Sequence, residues 1–388
     1  MNGAHQRWWQ LALLTTAMLL GMAVWLAASA VGPALAASLS LTRGQTGWLT
    51  SAVQLGFVVG TLAAAVLNLA DLWPSRWYVA GSALVAAAAN ATLLVADSYP
   101  GALLSRFVTG VAIAGVYPPA MKMAATWFVA RRGLAIGAIV AALTAGKAIP
   151  YLISGLEGAH LAPAIAIPSV AAVLAALLVA VGYRDGPHAV APRPFSWGLA
   201  GTVLREPRVR QATGGYLGHM WELYAFWAWI PGFLGAALDA RGATASQAPL
   251  WGFAVVAVGA VGALAGGVAA DRWGRPRITR LALVVSGACC LASPLLFLAP
   301  TAVLLAIALV WGIAVIADSA QFSAMVSESA PPHAVGTALT LQTSLGFLLT
   351  VATIQGVPWI AGLVGWQWAM VGLTLGPLAG LWAMRRLR

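Results

Sequence analysis

The chain is a succession of apolar runs, most of about twenty residues or more, separated by short joints that hold nearly all of its charge. A helix needs about that length to cross the hydrocarbon core of a bilayer, and inside it every backbone polar group must be satisfied within the segment. Composition closes off the alternatives. Only 8% of the 388 residues are charged and 61% are hydrophobic, against about 25% charged in soluble domains. No alternation of polar and apolar residues marks the strands of a membrane barrel. The expected fold class is therefore an all-α membrane protein.

Twelve segments can be read: about 11–37, 46–69, 77–95, 99–128, 133–155, 159–183, 211–238, 249–270, 278–298, 301–326, 335–359 and 366–384. The first resembles a signal peptide in outline, but its apolar run is too long and is expected to remain as a helix. Residues 184–210 are the one long hydrophilic stretch, rich in Arg and Pro. They divide the chain into an N-terminal six-helix bundle (1–183), a cytoplasmic linker (184–210) and a C-terminal six-helix bundle (211–388). Within the linker, 197–204 has the pattern of a short helix lying on the membrane surface.

The arginines test the segment count. Arg7, Arg76, Arg131, Arg132, the linker arginines, Arg272, Arg275, Arg277, Arg280 and the C-terminal arginines all fall on one side; only Arg43 and Arg241 fall on the other. The positive-inside rule makes the first side cytoplasmic, with both termini on it. The expected location is a bacterial-type inner membrane. A net charge of +11 distributed in this way serves topology and does not imply nucleic-acid binding. Cys289 and Cys290 are adjacent within an apolar run, which suits neither a disulfide framework nor a metal site.

The halves repeat. Asp71 and Asp271 are 200 positions apart (271 − 71), and each ends an apolar run before an Arg-bearing turn. Pro100 and Pro300 keep the same offset, and Gly133 and Gly336 open equivalent helices. The second copy of the turn is Gly266-Gly267-Val268-Ala269-Ala270-Asp271-Arg272-Trp273-Gly274-Arg275. Asp271 sits at the C-terminal end of its helix, where the dipole disfavours a carboxylate, so it needs an arginine or another helix's N-terminus.

This hairpin resembles the signature loop of the major facilitator superfamily, G-x-x-x-D-R-x-G-R-R, in its second-half copy. Arg106-Phe107-Val108-Thr109-Gly110 resembles the family's R-x-x-x-G pattern. Gly146 and Pro150 resemble faintly the Gly/Pro-rich helix of the family's proton antiporters, although Lys147 stands where those carry Pro. The first-half loop is degenerate, with Pro74-Ser75 in place of Gly and a basic residue. The resemblance implies twelve transmembrane helices in two pseudo-symmetric six-helix bundles, with a substrate site between them. It also implies a gating role for Asp271 and Arg272.

Charge inside a bilayer is costly and usually functional. The candidates are Arg106, Lys122, Lys147, Glu222 and Asp318. The only two lysines in the chain are both intramembrane, which points to a use for the compact ammonium group, although snorkelling or a structural ion pair would also account for them. The residues expected to bind substrate are Lys147, Tyr151, Trp25, Tyr224 and Arg106. Glu222, with His219 one turn before it, is expected to carry the proton; a buried, hydrogen-bonded His and a satisfied packing acid are the plainer alternatives. Lys122 and Asp318, on equivalent helices, are expected to pair when the protein opens outward, giving a gate with Asp271 and Arg272. No phosphate-binding loop, metal cluster or nucleophile triad appears, so neither cofactor, metal nor enzyme activity is expected.

The expected function is a monomeric secondary transporter of a small organic solute, anionic because the intramembrane cations outnumber the acids, and coupled to protons. An efflux antiporter for lipophilic or cationic compounds is a second reading, and a non-transporting sensor or scaffold a third.

Overall fold

The computed structural model describes residues 3–128, 131–158, 160–188 and 195–387. Every regular element among them is helical. Twelve helical units, α1–α12, run back and forth. Their first six are α1 (Gly3–Gly21, continued through Met22–Val24, Ala27–Ala30 and Gly32–Leu39), α2 (Arg43–Val66), α3 (Ser75–Ala91 with Thr92–Val95), α4 (Tyr99–Ile113 and Tyr117–Ala125), α5 (Arg132–Glu157) and α6 (Leu161–Gly182). The rest are α7 (Pro207–Asp239), α8 (Ala248–Ala257 and Gly259–Trp273), α9 (Arg275–Leu298), α10 (Thr301–Ala317 and Ser319–Ser329), α11 (Val335–Val364) and α12 (Trp366–Ala369, Val371–Thr374 and Leu375–Ala383).

Local signals set the ends. Thr42 and Gln45 form a capping box that starts α2, satisfying two orphan donors reciprocally. Gly158 takes a left-handed φ of 75° to end α5. Pro74 precedes α3 and Pro300 precedes α10, where a residue without an N–H costs no helical bond. Among the described residues, nine units are each long and apolar enough to cross a bilayer. The others are α1, whose 19-residue first piece opens with His5, Gln6, Arg7 and Gln10 before the helix breaks, α12, broken into short pieces, and α7, whose apolar residues are diluted by His219, Glu222 and several indole and phenol rings. Large apolar side chains such as Val181, Leu295 and Trp382 point outward and stay exposed, as helices with lipid around them require.

The breaks refine the sequence reading. In α4 the helix is interrupted at Ala114–Val116, and Pro118 and Pro119 begin its second piece instead of ending the first. The break of α10 falls on Asp318. Helix α7 begins at Pro207, four residues before the expected start, because Pro is well placed in a first turn. Linker residues 189–194 and the side chain of Asp71 lie outside the described residues. The linker helix, Trp197–Arg205, buries Val203, leaves Trp197 exposed, and is tied to α11 where Ser196 N–H donates to Thr337 Oγ1 at 3.0 Å.

The internal repeat is visible in the packing. Helix α2 lies against α4, and α8 against α10. A Cβ on Gly60 would strike the backbone of Val111, and one on Gly110 the carbonyl of Val53. In the second half, Gly262 meets Ile313 O and Gly312 meets Val255 O in the same way. Both pairs are 202 positions apart (262 − 60 and 312 − 110). Small residues let backbones approach where no hydrophobic force drives helices together.

Candidate functional site

The halves meet along α2–α11 and α5–α8. At the end that carries the termini, the Asp271 carboxylate faces the first turn of α5: a Cβ on Gly133 would lie 3.1 Å from Asp271 Oδ2. This is the kind of helix N-terminus, with its positive dipole end, that Asp271 needs. Arg272 is exposed. At the opposite end the halves part around a cavity of about 430 Å³. It is walled by the outer pieces of α1, the start of α2, and the ends of α5, α7 and α11, with Tyr151, Trp229, Pro231, Pro358 and Trp366 prominent. No charged side chain lines it.

Tyr151 is the only residue of the expected substrate set in that wall. Its hydroxyl donates to Trp227 O at 2.8 Å, fixing α5 to α7 across the halves. One turn deeper on α5 is Lys147, buried to 2% exposure. Its Nζ donates to Tyr224 Oη at 2.6 Å. It also stands 3.8 Å from the ring centre of Trp25, 4.6 Å from that of Tyr224 and 5.1 Å from that of Trp227. Such placements are attractive because the ring face carries negative potential. Phe57 and Phe347 close the box, 4.3 Å apart and packed on Trp25. Sequence reasoning grouped Lys147, Trp25 and Tyr224; that Trp227, Phe57 and Phe347 join them is visible only in the structure, since nothing in a local pattern says which rings of a Trp-rich chain converge.

Arg106 lies elsewhere. It is fully buried within the N-terminal half, where Nη1 donates to Asn90 Oδ1 at 2.7 Å and Nη2 to the carbonyls of Val24 at 3.0 Å and Trp25 at 2.6 Å. Those carbonyls belong to the broken turn of α1, so the guanidinium fork satisfies acceptors that the break leaves open. Its contact with the Lys147 box is indirect, through the Trp25 carbonyl.

Glu222 forms a separate cluster in the C-terminal half. Oε1 accepts from Trp311 Nε1 at 2.6 Å and from Cys290 Sγ at 3.2 Å, and Oε2 accepts from Ser286 Oγ at 2.9 Å. Ser286 and Cys290 are four apart on α9, which puts them on one face. That spacing of polar groups within an apolar run was the available signal, and it was missed. All three partners are neutral donors. His219, one turn away, has Nδ1 2.8 Å from Asp318 Oδ1, within ion-pair distance but without hydrogen-bond alignment. Asp318 therefore makes a close contact within its own half, and Lys122 is half-buried on the second piece of α4. Among the described residues no group of three His, Cys, Asp or Glu is arranged to hold a metal.

The sequence profile described as the Major Facilitator Superfamily matches residues 13–354, most of the chain. The chain belongs to the Major Facilitator Superfamily. Solved structures share this superfamily member's fold over nearly its whole length. A bacterial homologue of the human lysosomal transporter Spinster, inward-facing and occupied, superposes with a TM-score of 0.72 at 18% identity, covering 98% of this chain and 97% of that one. The nucleoside transporter NupG superposes with a TM-score of 0.72 at 14% identity, covering 98% and 99%. A chloramphenicol resistance protein of Streptomyces lividans is 35% identical over 130 residues, a match that spans 34% of this chain and 30% of that protein. Transport across a membrane is thus the activity of the superfamily to which this chain belongs, and the α1/α5/α7 box lies where its two halves face each other.

Proposed function

We propose that this protein is a proton-coupled secondary transporter of a small organic solute, working by alternating access between its two six-helix halves. The arginine-rich end is the cytoplasmic face, and the conformation described is open outward. The observation that carries the reading is the cavity itself. It lies between the halves, away from the terminal end, and has the buried Lys147 box one helical turn from its Tyr151 wall. The ammonium group gives an anionic solute the advantage. Glu222, held by neutral donors alone, is the group suited to take and release a proton.

Export is a second reading of direction, favoured by the partial match to the chloramphenicol resistance protein and by the apolar cavity wall. The deciding measurement is flux in proteoliposomes with an imposed pH gradient, comparing organic carboxylates, chloramphenicol and cationic dyes. Accumulation that collapses when the gradient is dissipated supports coupling. Equal flux with and without the gradient for every compound would remove the proton from the mechanism.

A further inference from the structure

The box around Lys147 holds more hydrogen-bond donors than it uses. Lys147 has three N–H groups and its recorded hydrogen bond is to Tyr224. Among the described residues the indole N–H groups of Trp25 and Trp227 have no hydrogen-bond partner, nor has either polar atom of the Gln54 side chain. These side chains are almost wholly buried, at 1% for Trp25 and 0% for Trp227 and Gln54. Each buried polar group left unmatched costs roughly 1–3 kcal/mol, and such groups are few in native proteins. Two of these side chains, Trp25 and Trp227, set their rings against the one ammonium of Lys147.

Gln54 belongs to the same place. On α2 it lies one turn from Thr50, which lines the cavity, and one turn from Phe57, whose ring is 5.1 Å from that of Trp25. Spacings of three and four put the three residues on one side of the helix.

We infer that this box is an anion subsite. It takes the carboxylate of a monocarboxylic acid with an aromatic or other bulky apolar body, using Lys147, Trp25, Trp227 and Gln54 as donors. The unused groups are three donor-bearing side chains, with Gln54 Oε1 the one unused acceptor, and among the described residues no carboxylate contacts Lys147. A ligand cation is disfavoured because Lys147 already occupies the ring faces that would hold it. The apolar body follows from what lies above. The cavity that begins at Tyr151 is walled by Trp229, Trp366 and prolines, without a charge, and its volume is in the range that holds small organic ligands. The donors come from both halves: Lys147, Trp25 and Gln54 from the first and Trp227 from the second. A carboxylate spanning them would therefore draw the halves together. The inference rests on the transporter reading for its purpose, but its binding chemistry can be tested apart from transport.

The test uses the full-length protein in nanodiscs, titrated with phenylacetate, phenylacetamide, phenethylammonium and acetate. Phenylacetate should bind saturably, and the neutral amide, the ammonium and acetate should each bind at least about tenfold more weakly, as expected for losing a charge-assisted contact or the apolar body. Lys147→Gln should abolish phenylacetate binding. Trp227→Phe, which keeps the ring and removes the N–H, and Gln54→Met should each weaken it about threefold to tenfold. Equal affinity for acid and amide, acetate binding as tightly as phenylacetate, absence of phenylacetate binding, or unchanged affinity in both Trp227→Phe and Gln54→Met would overturn the subsite. If either variant fails to fold, the four-ligand comparison on the unaltered protein decides. Should phenylacetate not bind while pH-driven flux of chloramphenicol or a dye persists in proteoliposomes, the anion subsite falls and the transporter reading stands.

Discussion

Glu222 is buried among an indole, a hydroxyl and a thiol, with no cation in contact among the described residues. A carboxylate so placed has no built-in counter-charge, and a proton is the smallest group that can supply one. Glu222→Gln keeps the shape and fixes the neutral form. It should abolish accumulation driven by a pH gradient while exchange of solute across the membrane continues; full accumulation in the variant would take Glu222 out of coupling. Arg106 tests the opposite role. Arg106→Lys cannot reach Asn90 and two carbonyls at once, so at least one buried acceptor is stranded, at roughly 1–3 kcal/mol. The expected outcome is a lower thermal unfolding midpoint with solute affinity changed far less. A large loss of affinity at unchanged stability would place Arg106 in the binding site after all.

Among the helices, close backbone approach decides packing. Gly110 and Gly312 are the equivalent points of α4 and α10, each set against a backbone carbonyl of the facing helix. Alanine at either position gains about 1 kcal/mol of helix propensity. It also places a methyl where only backbone could give way, and overpacking of that kind costs roughly 1–3 kcal/mol. Gly312→Ala should therefore lower stability slightly, and Gly312→Leu severely, in detergent unfolding assays. Gly267, with open space around its Cβ position, is the control: Gly267→Ala should be neutral or stabilising. The glycine pairs were legible in the sequence as glycines. Which helix each one faces was not, because small-residue spacing fits several partners equally well.

For the whole molecule, the alternating access proposed above would make the balance between states depend on contacts that exist only while the halves touch at the terminal end. Asp271 lies against the start of α5 at that end and is proposed as such a contact. Asp271→Asn removes the charge that the helix N-terminus attracts and should shift the population towards the state open at the terminal end. A single cysteine placed at Ala263, on the α8 face that packs towards α5, would react faster with a membrane-impermeant thiol reagent applied from the terminal side. Unchanged labelling in Asp271→Asn would leave the contact without a role in the balance. Asp318, expected from the sequence to face Lys122, stands 2.8 Å from His219 of its own half. Residue depth along two helices placed both side chains at similar levels. It could not set the rotation of α10, which turns Asp318 towards α7 at the break.

Sequence alone determined the helices and their number. Each of these follows from properties that add along the chain: apolar length against bilayer thickness, and charge at the ends of segments. It also determined that Asp271 needs a partner, because a helix end has a sign whatever surrounds it. Tertiary structure decided which polar groups meet. Trp25, Lys147, Tyr224 and Trp227 come from three helices of two halves, and Glu222 finds its donors on α9 and α10. Such encounters depend on the rotation and crossing of whole helices, set by glycine contacts and breaks in α1, α4 and α10 that sum over many small packing terms. A hydropathy pattern with a period of one helix turn carries no record of them.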